Sequence, residues 1–256
     1  MANLIYHYTN LDVFKKIIEG DSLLLSDMRE SNDLQEMIHY STEMDGLEVL
    51  GEFWKNIKVL VDIIPEMIGC YALCFAKQKD LLSQWDRYAE KGKGVAIGFD
   101  KEKLDSLIER VNLFMQDSPK EEFPDGYRKI LMKDVKYKDL RKSIPIQESI
   151  ECVEKKEEYL EKCAFTKHKG FAEEKEIRIA VLVYNEKKEE IQNEYLQLVK
   201  INQKNGYLLK YIKEAIVEVF AGPICSDEDI VEIENLRKAN NCTYKIGKSE
   251  IPYRPK

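Results

Sequence analysis

The chain has 256 residues, of which 44% are apolar and 34% charged, with 12 glycines, 7 prolines and a net charge of −7. That balance supports a large buried core and excludes disordered, fibrous and globally basic nucleic-acid-binding classes. The start, MANLIYHYTN, lacks the basic and apolar pattern of a secretion signal, and Asp62, Pro65 and Glu66 break the most apolar stretch, 59–76, short of the ~20 residues a spanning helix needs. A soluble cytoplasmic protein with no membrane partner is expected.

In chain order, Leu4–Tyr8 reads as a strand, and Asn10 caps a helix with apolar Leu11, Phe14, Ile17 and Ile18 that Gly20 closes. Leu23–Leu25 reads as a second strand, followed by a polar loop with Ser26, Asn32, Asp33 and Glu36. Residues 34–67 are helical by period, with breaks near Asp45-Gly46 and Pro65. Cys70–Ala76 is a nearly continuous apolar run, which predicts a buried central strand with Cys70 and Cys74 as small core residues. A short helix over 80–90 carries Trp85 and Tyr88, Val95–Phe99 is a strand, and Asp100 caps the next helix. Strands are then predicted at 130–137, 176–184, 195–199, 208–211, 215–220 and 243–246, with helices at 150–167 and 228–239. No repeat, linker or composition break divides the chain. The prediction is one α+β domain over 1–256, whose mixed central sheet includes 4–8, 70–76, 95–99 and 176–184.

Six cysteines without a C-x-x-C pair, and three histidines, do not make a zinc site, so no metal is expected. Three constellations are suited to chemistry. Alternation along HYT puts His7 and Thr9 on one face and Tyr8 on the other, where a strand-end imidazole can bond a sugar hydroxyl or simply serve the fold. Trp85 and Tyr88, three apart on one helix, form either core packing or an aromatic wall for a ring-bearing ligand. Glu174 and Glu176 form an E-x-E pair at the start of a strand, with Arg178 on the same side and able to pair with either acid. One carboxylate there can stabilise a developing cation or act as a base, or the set can be a salt-bridged surface. Residues 127–142 hold seven basic residues against two acidic, followed by an acidic stretch at 148–161. The strip is either a solvated face that this stretch neutralises or a nucleic-acid contact.

The strand with His7, Tyr8 and Thr9, the Gly-ended helix and the Leu-rich strand resemble the opening of the ADP-ribosyltransferase superfamily, closest to its DNA-targeting toxin branch. HYT, SNDLQE at 31–36, CFA…W..YA..G.GVAIGFD at 74–100, EKEIRI at 174–179 and IVEVFAGP..S.E at 216–228 together resemble the bacterial domain of unknown function 2971 family over nearly the whole chain. One departure is Ala76, where members of that family often carry Ser. The resemblances imply an ADP-ribosyltransferase-like fold and an NAD-dependent enzyme, a toxin or anti-phage effector modifying nucleic acid or protein. In it His7 would hold the ribose, Tyr8 or Tyr88 would stack on nicotinamide, Thr9 and Trp85 would line the NAD site, and Glu176 would be catalytic with Glu174 assisting. The rival readings are a non-catalytic nucleotide- or nucleic-acid-binding module of the same fold, and a hydrolase using the same carboxylates.

Overall fold

The structure, a computed structural model, describes residues 3–28, 68–117, 128–138, 161–162, 164–184, 194–201 and 204–254. The helix read over 34–67, Asn32, Asp33, Glu36 and most of the helix read over 150–167 lie outside the described residues.

Ten strands form one sheet in the order β12-β11-β4-β1-β3-β2-β10-β9, with β8 and then β5 added on the far side of β3. The four segments expected in the central sheet are all there, as β1 (Leu4–Thr9), β3 (Ile68–Ala76), β4 (Val95–Asp100) and β8 (Glu176–Tyr184). The others are β2 (Ser22–Asp27), β5 (Arg128–Asp134), β9 (Leu196–Ile201), β10 (Lys204–Lys210), β11 (Ile216–Ala221) and β12 (Lys245–Lys248). Pairing is antiparallel except between β11 and β12. The strand expected at 130–137 is two: after Val135 the chain leaves β8, and β6 (Lys136–Lys138) pairs in parallel with β7 (Thr166–His168) as a separate ribbon.

β3 is where the sheet divides. One edge of it pairs with β8 along nine positions, from Ile68↔Tyr184 to Ala76↔Glu176. The other edge is shared: β1 meets it at Tyr6↔Ala76, and β2 meets it at Ser26↔Ala72 and Asp27↔Tyr71. Between those contacts β1 and β2 part, and the Cys74 carbonyl is met by the His7 ring instead of a strand amide, Nδ1 to O 3.0 Å.

Helices cover the face of the sheet that carries Ile5, Phe75, Ile97, Phe99, Ile177 and Ile179. α1 (Leu11–Gly20) buries Phe14, Ile17 and Ile18, and the Asn10 side chain caps it by accepting from Val13 N at 2.8 Å. The left-handed residue that ends it is Asp21, one past the expected Gly20. α2 (Leu82–Tyr88) follows β3 and packs Trp85 on the other face, against Tyr6, Tyr8 and Ala76, whereas α3 (Lys101–Asp117) follows β4 on the same face as α1. α4 (Asp227–Ala239) starts in a capping box between Ser226 and Asp229. Replacing Ser226 by Ala removes that acceptor and should lower stability by about 1 kcal/mol in urea melts at unchanged slope.

Gly94 and Gly98 are among the glycines fixed by crowding. A Cβ on Gly94 would lie 2.1 Å from the Thr9 carbonyl oxygen, so this turn packs backbone on backbone. Gly98 lies under a crossing of two side chains, since its Cβ would fall 2.9 Å from both the Tyr6 ring and the Glu218 stem, which bond to each other above it. Among the described residues no helix is long and apolar enough to cross a membrane.

Candidate active site

On the face opposite α1 and α3, β8 opens with alternating charges. Glu176, Arg178 and Ala76 share this face because Ala76 pairs with Glu176 and Cys74 with Arg178. Arg178 is fully buried and grips Glu176 with two nitrogens: Nε donates to Oε1, and Nη2 to Oε2 at 3.2 Å. Its Nη1 donates to Ala164 O at 2.8 Å.

Glu174 is not in the strand. It ends a short 3-10 turn, 169–174, which His168 Nδ1 caps by accepting from Gly170 N, and which Lys175 closes in a left-handed conformation. The turn brings Glu174 back beside Glu176, and Lys167 on β7 donates to both, 2.8 Å to Glu174 Oε2 and 3.2 Å to Glu176 Oε2. Glu174 Oε1 also accepts from Arg87 Nη1 at 3.0 Å and from Tyr88 OH at 3.2 Å, both at the end of α2. Two acids and two bases are thereby buried together, with exposures of 2% for Glu174 and 4% for Glu176. Beside them lie the exposed Cys74 and Tyr88, the latter 39% exposed.

Burial would raise the Glu176 pKa, but the charge and hydrogen bonds of Arg178, with Lys167 and the Cys74 thiol adding to them, hold it below its ordinary 4.5. Glu176 is therefore a carboxylate at neutral pH. The stability this gives is present above pH 4.5 and lost as pH falls through the lower folded value. Burial and the Glu174 charge push the Tyr88 phenol up, and burial pushes Tyr137 up to about 12.

The expected site residues divide into three groups. Glu174, Glu176 and Tyr88 come together, with Arg178 pairing as alternation allowed. Tyr8 and Trp85 do not join them: they pack edge to face, centroids 4.8 Å apart, in a small core with Tyr6, Ala76, Ala89 and Ala96. Trp85 is wholly buried and donates Nε1 to Asp80 Oδ1 at 2.7 Å, and Tyr8 OH donates to Gln78 O and accepts from Leu81 N. In place of an aromatic wall for NAD, the two hold residues 78–85 onto the sheet. Thr9 is buried against Gly94.

His7 stands between the groups. It lies on the face of β1 opposite Tyr6, and hence opposite Ala76 and Glu176, and its ring turns into the parting between β1 and β3 to meet Phe75 and the Cys74 carbonyl. Cys74 links it to the carboxylates, since its thiol bonds Glu176. A ring nitrogen facing a carbonyl must carry the proton, so Nδ1 donates and Nε2 is left as an acceptor. Burial lowers the His7 pKa below 6.5 despite that bond. The unfolded chain then takes up the proton first, so stability falls as pH drops below 6.5, until the folded value is reached. His7→Gln should flatten this slope in urea melts between pH 7 and 5, whereas an unchanged slope would assign it to other groups.

The sequence reading omitted Lys167, Arg87 and Tyr137, and its expectation of two small core cysteines fails for one of them: Cys70 is buried but Cys74 is exposed. An apolar run implies two buried faces, but here the charged network, not a helix, covers the second face near Cys74. In the basic strip, Lys133 and, at 3.9 Å, Lys129 pair with Glu161, so the acidic stretch neutralises part of it as the solvated-face reading held. An open groove of about 330 Å³ along α3, lined by Asp100, Glu102, Lys103, Ser106, Leu107, Arg110 and Ile212, shares no residue with the carboxylate site.

No curated protein and no solved structure matches the chain. Residues 84–179 match the model of a family described as Protein of unknown function (DUF2971), which supports the resemblance to that family and spans Arg87, Tyr88, Lys167, Glu174, Glu176 and Arg178 but not His7.

Proposed function

We propose that the chain is an NAD-dependent ADP-ribosyltransferase-like enzyme of the bacterial cytoplasm, a toxin or anti-phage effector modifying nucleic acid or protein, with Glu176 as its catalytic residue. The observation that carries the reading is a buried carboxylate held ionised at the start of β8, beside the place where the sheet divides. A buried ion cluster rarely exceeds an apolar core in stability, and ionisable groups with strongly perturbed environments gather at working sites. In the reaction the bond between ribose C1′ and the nicotinamide nitrogen breaks and its electron pair leaves with nicotinamide. The ribosyl cation that develops is stabilised by Glu176 in a site where little water screens the charge. An acceptor nucleophile then supplies the electron pair of the new C1′ bond and gives up its proton to solvent. Glu174, tied to Arg87 and Tyr88, orients the acceptor, while His7, on the opposite face of the sheet, takes no part in holding the ribose.

One observation favours a non-catalytic nucleotide-binding module instead: both carboxylates already have cationic partners and almost no exposure. The two readings separate in a single experiment, NAD titration by calorimetry alongside assay of nicotinamide release. Binding with release supports the transferase, and binding without release across protein and nucleic-acid acceptors supports the module.

A further inference from the structure

We infer that Lys167 is the positioning residue of this site, its ammonium bridging Glu174 and Glu176 so that the two acids are held in one geometry. Nζ lies 2.8 Å from Glu174 Oε2 and 3.2 Å from Glu176 Oε2, and it sits over the Phe171 ring, 4.8 Å from the centroid. Arg178 cannot take this part, because its planar fork is already spent on Glu176 and the Ala164 carbonyl. A compact ammonium can stand between two carboxylates, whereas a guanidinium fits one of them edge-on. Without it each acid keeps its own arginine, Arg178 or Arg87, but no cation stands between the two.

The ribbon of β6 and β7 is built to deliver that contact. Tyr137 pairs with Lys167 across it, and the Tyr137 hydroxyl accepts from Glu176 N at 2.8 Å. One rung of the ribbon therefore holds Glu176 twice, by its backbone amide and by its carboxylate. The ionisable groups around Glu176 are Arg178 on its own strand, Glu174 on the turn, Cys74 on β3, Lys167 and Tyr137 on the ribbon, and Arg87 and Tyr88 across Glu174 on α2.

The inference rests on the proposed activity for only one arm of its test. Full-length Lys167→Met and Lys167→Arg are compared with wild type after circular dichroism shows each is folded. In the first arm the side-chain carboxyl carbon of Glu176, assigned by its loss in Glu176→Gln, is titrated by 13C NMR. Its midpoint should rise by about one pH unit in Lys167→Met and return only part of the way in Lys167→Arg, which restores the charge but not the bridge. In the second arm nicotinamide release should fall roughly tenfold in kcat with KM little changed, and the acid limb of the pH profile should move up with the titration. If wild type releases no nicotinamide, the transferase reading fails and the titration alone decides the role of Lys167. An unchanged midpoint in folded Lys167→Met overturns it. Should that variant not fold, Lys167→Gln, which keeps a donor without the charge, is read in the same way.

Discussion

Arg178→Met should destabilise the protein by about 3–5 kcal/mol, because it strands a buried carboxylate whose bidentate partner is gone. The arginine is fully buried near the start of β8, and its other partner, the Ala164 carbonyl, also loses its donor. Part of the loss should be recoverable. Glu176→Leu combined with Arg178→Met removes one acid and one base, leaving Lys167 and Glu174 as a balanced pair. The double variant should therefore be more stable than Arg178→Met alone, a coupling that a double-mutant cycle in urea reads directly. An Arg178→Met penalty within about 1 kcal/mol would mean that water or a shifted side chain satisfies Glu176, contrary to the packing described.

Glu176→Gln should reduce nicotinamide release by ~100-fold, about 3 kcal/mol of transition-state stabilisation. The amide keeps the size and some of the hydrogen bonds but not the charge that, in the proposed reaction, faces the ribosyl cation. From the sequence alone the substitution looks nearly silent for folding, because a group at a cleft-side strand entry contributes little to the core. The structure revises that expectation: Glu176 is buried between Arg178 and Lys167, and the amide leaves two cations facing one acid. A loss of stability on the order of 2 kcal/mol should accompany the loss of activity, so rates are comparable only where both proteins are folded. Glu174→Gln should cost less activity under the proposed reaction, in which Glu174 orients the acceptor and Glu176 faces C1′.

The strands and caps were legible because they depend on local pattern. The β8 run EIRIAVLVY, the Asn10 and Ser226 caps and the strands around His7 and Ile97 all lie where periodicity and capping chemistry put them. The Glu174/Glu176/Arg178 association was legible for a related reason, although Glu174 reaches it from a turn and not from the strand. What the sequence hid depends on distant contacts. Lys167 sits in a three-residue strand whose parallel partner is thirty positions away, and no periodicity announces such a ribbon. Tyr8 and Trp85 have the same spacing and chemistry whether they wall a ligand or fill a core, and only their packing on each other decides it. His7 and Glu176 look like partners in one cleft until the Tyr6↔Ala76↔Glu176 register puts them on opposite faces, joined through Cys74.

The most direct test is release of nicotinamide from NAD by the purified full-length protein, with protein and nucleic-acid acceptors supplied in turn and Glu176→Gln run in parallel at a temperature where both are folded. The account predicts release by wild type with transfer of the ADP-ribosyl group to one acceptor class, and a loss of ~100-fold in the variant. Release that persists undiminished in folded Glu176→Gln, or no release by wild type with any acceptor, would contradict it.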